Sequence, residues 1–158
     1  MLLPRRTPSF EEWTAVSKRE TFIEFEWVGI DNIGQLGIFS SVSVGYIPAK
    51  VFASYETYAA LYNFLLDRQS TTTAQIISKD SGRKDFWRDW AQKGLIAYDY
   101  QDVHRTEKFD QYDLIAVPGK ALLAKEVPEM KVLDTTIPRF DLAFTGDISF
   151  DQMREEEI

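Results

Sequence analysis

Between Glu24 and Pro48 the chain reads EFEWVGIDNIGQLGIFSSVSVGYIP, and this stretch commits it to a sheet. Ile23, Phe25 and Trp27 alternate with Glu24 and Glu26, the period-two pattern of a strand with one apolar and one wet face. Asp31-Asn32-Ile33-Gly34 supplies turn chemistry, because Asn and Gly tolerate a positive φ cheaply. Leu36-Gly37-Ile38-Phe39 then resumes the apolar run, so the segment predicts a β-hairpin built on a type I turn. Ser40 to Gly45 is small and polar, and Tyr46-Ile47-Pro48 closes it. The glycines at 29, 34, 37 and 45 read as turn and bulge residues rather than as a phosphate cradle.

Helical signals flank this core. Ser9 and Glu12 form an S-x-x-E capping box that opens a short helix with Trp13 and Val16 on one face. Ser54 caps a helix running to about Arg68, in which Tyr58, Leu61, Tyr62, Leu65 and Leu66 make an apolar stripe at 3.6 spacing. Ser70–Ala74 breaks it. A further helix from about Lys84 to Lys93, with Phe86, Trp87 and Trp90 inward, stops at Gly94. Leu95–Tyr100 and Tyr112–Val117 predict two more strands joined as a hairpin by a charged loop. Lys120–Ile137 is ambiguous, since Pro128 forbids one continuous helix; Arg139–Phe144 is a candidate last strand. Strands arriving in adjacent pairs indicate an α+β fold: a mainly antiparallel twisted sheet with two or three helices packed on it. The expected organisation is one globular domain over 1–158 with a frayed acidic tail from about 151.

Composition narrows the function classes. Cysteine is absent, which removes disulfides, zinc-thiolate sites and cysteine nucleophiles and fits a cytoplasmic location. The start, MLLPRRTPSFEEW, does not read as a secretory signal, and no apolar run is long enough to span a bilayer. Net charge is −7, and residues 101–158 hold 13 acidic against 7 basic groups. Such a field repels nucleic acid and suits a basic protein partner.

No P-loop, Rossmann glycine fingerprint, nucleophile elbow or H-E-x-x-H occurs, so no catalytic residue, metal or cofactor is assigned. His104 is the only histidine and lies near Asp99, Asp102, Asp110 and Asp113. These acids could meet calcium or magnesium through oxygen ligands, but their spacing fits a solvated loop better. Glu24 and Glu26 fall on one strand face roughly 7 Å apart, a separation compatible with paired-carboxylate hydrolysis, but the wet face of an amphipathic strand accounts for it better. KDFWRDWAQKG interleaves basic and aromatic residues, but Asp85 and Asp89 offset the charge, so Trp87 and Trp90 read as core.

Two segments, FEWVGIDNIGQLGIFSSVSVGYIP and KGLIAYDYQD followed by YDLIAVPGKAL, resemble small bacterial proteins of the polymorphic-toxin immunity type. The likeness lies in scaffold residues across most of Phe25–Leu122. It implies a non-enzymatic module that neutralises a toxin by protein–protein interaction, and it brings no catalytic residues.

Two functions follow as expectations. In the first, the chain occludes a basic toxin domain through Tyr100, Asp102, Glu107, Asp110 and Asp113, with electrostatic steering. In the alternative, it is a small-molecule-binding or hydrolytic domain with an aromatic pocket between sheet and helices, lined by Trp27, Tyr58, Tyr62, Trp87 and Tyr98. An enclosed, solvent-excluding crevice in which His104 and two acids converge on one point would overturn the first.

Overall fold

The capping box forms as read. In the computed structural model, which describes residues 5–20, 22–79, 82–128 and 134–158, Ser9 Oγ accepts from the Glu12 amide and Glu12 accepts from the Ser9 amide, opening helix α1 (Phe10–Ser17). Strand β1 (Phe25–Ile30) turns back into β2 (Leu36–Ser41), antiparallel and in register from Phe25↔Ser41 to Ile30↔Leu36. Helix α2 (Tyr55–Asp67) starts on Ser54 and buries Tyr58, Leu61, Tyr62 and Leu65. A three-residue strand β3 (Ala74–Ile76) lies where the sequence signals only a break. Helix α3 (Asp85–Gln92) ends just before Gly94, whose φ of 99° suits glycine. Strands β4 (Ile96–Asp99) and β5 (Gln111–Pro118) pair antiparallel, and β6 (Ile148–Ser149) leads into α4 (Phe150–Glu156).

The fold is α+β, with two corrections to the expectation. The sheet, ordered β1-β2-β4-β5-β3 with β6 also on β5, is mixed: β2 and β4 run parallel while the other pairings are antiparallel. The chain leaves β2, crosses through α2, β3 and α3, and returns beside β2 in the same direction; a parallel neighbour needs such a crossover. The described residues also contain four α-helices rather than two or three. The fourth occupies the tail read as frayed: Ser149 caps it, Met153 is fully buried, and Glu157 bridges to Phe140. Arg139–Phe144 forms isolated bridges, not a strand. Within the ambiguous stretch, 129–133 lie outside the described residues.

Register explains the two sheet faces. Trp27, Phe39 and Tyr98 are mutual partners across β1, β2 and β4. Their rings stack, with centroids 4.2 and 4.9 Å apart. Phe140 and Phe144 close over this face. Gly29 and Gly37, also paired, make room: a Cβ on Gly37 would sit 2.8 Å from the Phe144 ring and one on Gly29 3.0 Å from Phe140. These glycines therefore serve ring packing rather than a turn or bulge. One residue away in register, on the opposite face, stand Glu26, Ser40, Asp99 and Asp113.

Candidate functional site

That polar row is not a wet face. Glu26 is 9% exposed, and every residue of β1 is buried. Its Oε1 accepts from the Tyr62 hydroxyl of α2 (2.8 Å). Its Oε2 accepts from Ser40 Oγ and from Trp90 Nε1 of α3, both at 2.8 Å. Arg5 completes the set with Nε–Oε1 at 3.1 Å and Nη2–Oε2 at 3.3 Å. The Arg5 guanidinium carbon lies 4.0 Å from the Phe86 ring centroid and 4.8 Å from that of Trp90. A buried carboxylate with this many charge-assisted partners is well compensated. Burial lowers the proton affinity of the Arg5 guanidinium, and the Glu26 charge acts against that loss.

Beside this cluster lies a cleft of about 560 Å³ between the polar row, α3, the segment leading into α1 and the loop after β4. Glu24, Glu26 and Asp99 line it from the sheet, Phe86 and Trp87 from α3, and Tyr100 and His104 from the loop. Asp99 is half-buried and its carboxyl has no hydrogen-bond or ion-pair partner among the described residues. Desolvation, followed by the charges of Glu24 and Asp113, pushes it up to about 8, with Lys84 opposing. Glu24 sits exposed at the rim, likewise unpaired; desolvation and then the Glu26 charge raise it, while His104 and Arg5 pull it down. The other rim cations are already matched, Arg6 to Glu12 (2.6 Å) and Arg83 to Asp85 (3.0 Å).

His104 and the acids Glu24 and Asp99 thus meet at one crevice, open at its rim, where both Glu24 and His104 are exposed. Near neutral pH Asp99 holds its proton and could donate it. A nucleophile is harder to find. Ser40 is 3% exposed and gives its hydrogen bond to Glu26, not to His104. No group of three or more His, Asp or Glu side chains among the described residues could hold a metal ion.

The aromatic lining anticipated from sequence divides. Tyr62 and Trp87 reach the cleft, while Trp27, Tyr58 and Tyr98 are buried in the core. Tyr100, one of the proposed protein contacts, is half-buried in the cleft wall. Asp102 is fully buried: its Oδ2 accepts from the amides of Phe109 (3.0 Å) and Asp110 (2.8 Å), and its Oδ1 from Arg105 (3.0 Å). Burial alone would raise Asp102, but those donors outweigh it and hold it below the usual carboxylate range. Asp113, 7% exposed, accepts from Arg105 and from Gln111 (2.6 Å). Glu107 and Asp110 are exposed on the loop, Asp110 at a φ of 50°. The loop's acids do not form one outward surface; two of them stitch the loop together. Arg5 and Ser40 carried no sequence signal, and Asp99 was visible only as one acid near His104.

Protein-family models, curated proteins and solved structures were compared with this chain, and none matches it. No described helix is long and apolar enough to cross a membrane.

Proposed function

We propose that the chain binds a small organic cation in the cleft between the polar face of the sheet and α3. One observation carries this: Glu24 and Asp99, neither with a hydrogen-bond or ion-pair partner among the described residues, line one cleft with Phe86, Trp87 and Tyr100, where burial and the Glu24 charge raise the proton affinity of Asp99. A cation beside them favours the ionised form of each carboxyl, and aromatic faces attract one electrostatically. A toxin-blocking role through the Gln101–Asp113 loop is less well supported, because Asp102 and Asp113 are committed to Arg105 and to loop amides. The proposal includes a proton. A cation prefers ionised Asp99, and with the group near 8 only about a tenth is ionised at about pH 7. Affinity therefore rises about tenfold between pH 7 and pH 9 and then levels.

Calorimetric titration of a panel of alkylammonium, alkylguanidinium and polyamine ligands tests this, with neutral and anionic analogues as controls. Binding by at least one cation, rising with pH in the wild type and without that rise in Asp99→Asn, is the expected result. A panel that fails to bind, or affinity indifferent to both pH and Asp99, would refute it.

A further inference from the structure

Around Glu26 the fold builds a seat shaped for a guanidinium group, and Arg5 sits in it. The fork of Arg5 meets both carboxylate oxygens, Nη1 donates to the Phe86 carbonyl at 3.0 Å, and the plane is flanked by two aromatic rings. A planar, five-donor cation fits such a site, whereas a compact ammonium would leave acceptors and ring faces unused.

Glu26 is held by groups other than its occupant. Tyr62, Ser40 and Trp90 orient the two Glu26 oxygens, and the Tyr58 hydroxyl donates to the Glu26 carbonyl at 2.6 Å. These residues come from α2, β2 and α3, the secure parts of the fold. Arg5 arrives instead on an irregular segment before α1, anchored by the Pro8 carbonyl to Tyr55 (2.6 Å), by Thr7 to Asn63 and by Arg6 to Glu12. Arg5 is also a wall of the cleft, so its departure would widen the space that Glu26 already shares with Glu24 and Asp99.

We propose that Arg5 is a tethered occupant of a guanidinium-recognition seat, and that the ligand of the cleft carries a guanidinium group that displaces it. This rests on the cation-binding proposal above and specifies the head group and the wall that moves. A side chain on a short tether competes at an effective concentration on the order of millimolar. A diffusible guanidinium must therefore add contacts to win, and Glu24, Asp99 and Trp87 stand where such contacts would form. Once the tethered group is removed, a simple alkylguanidinium should suffice.

The full chain carrying Arg5→Ala is titrated with methylguanidinium and, separately, with methylammonium at equal ionic strength. Thermal midpoint and the fluorescence of Trp87 and Trp90 are followed. Methylguanidinium is expected to bind Arg5→Ala saturably, about tenfold more tightly than it binds the wild type. It should also be preferred over methylammonium, and the preference should disappear in Arg5→Ala/Glu26→Gln. Equal response to the two cations, or response to neither, would overturn the seat and leave Arg5 a purely structural ion pair. If Arg5→Ala does not fold unaided, refolding yield in the two cations reads the same preference, with equal yields overturning it. Asp99-dependent binding in the wild type without rescue of Arg5→Ala would discard the seat alone. Rescue without any Asp99-dependent binding would discard the cleft proposal on which the ligand assignment rests.

Discussion

Trp27, Phe39 and Tyr98 form one row across β1, β2 and β4; Glu26, Ser40 and Asp99 form the next, on the opposite face. The aromatic row is closed by Phe140 and Phe144, which settle over Gly29 and Gly37, and the Tyr98 hydroxyl ends on the Gly146 carbonyl at 2.8 Å. The polar row is closed unevenly. Glu26 receives every partner it needs, while Asp99, two strands away, receives none among the described residues. Neighbouring rows of one sheet thus differ in purpose: one is packed for stability, and the other grades from a compensated charge into an unsatisfied one beside an open cleft. Strain of that kind is what a binding site retains and a core eliminates.

The comparison breaks most visibly at Glu26. Glu26→Ala strands a buried Arg5 cation and orphans the donors of Tyr62 and Trp90, so a loss of about 3–5 kcal/mol is expected by denaturant unfolding. A loss within the range of an exposed substitution would mean that the cluster contributes little to the fold.

Asp99 should behave in the opposite sense. Its folded carboxyl titrates near 8, whereas the unfolded chain releases that proton near ~4. The folded state then binds the extra proton between those values, so wild-type stability declines as pH rises through this window and is level above it. Asparagine does not titrate. Asp99→Asn should therefore match the wild type below about pH 4 and gain on it steadily up to about pH 8, read as thermal midpoints across pH. A variant destabilised at high pH would show that the Asp99 carboxylate has a compensating partner.

How much of this the sequence discloses depends on range. The α1 capping box, the α2 stripe, the β1–β2 hairpin and the stop at Gly94 are local patterns, and each forms where its residues indicate. The parallel β2–β4 pairing is legible nowhere, because it is decided by where a crossover of some fifty residues returns the chain. Glu24 and Glu26 look alike in an alternating strand, yet only Glu26 is covered, by Tyr62, Trp90 and Arg5 from distant segments. β3 is too short to show a period, and α4 reads as an acidic tail because its buried face is little more than Phe150 and Met153. The site was visible as residue types, in Glu24, Glu26, Asp99 and His104, but not as a place, since register and helix docking bring them together.

Among the described residues Asp99 is an acid without a partner, placed to receive a positive charge. Carbon NMR of its side-chain carboxyl, titrated against pH with and without a bound organic cation, addresses this directly. The predicted midpoint in the free protein is about 8, moving downward when the cation is present. A midpoint in the ordinary aspartate range, unmoved by any cation, would contradict it.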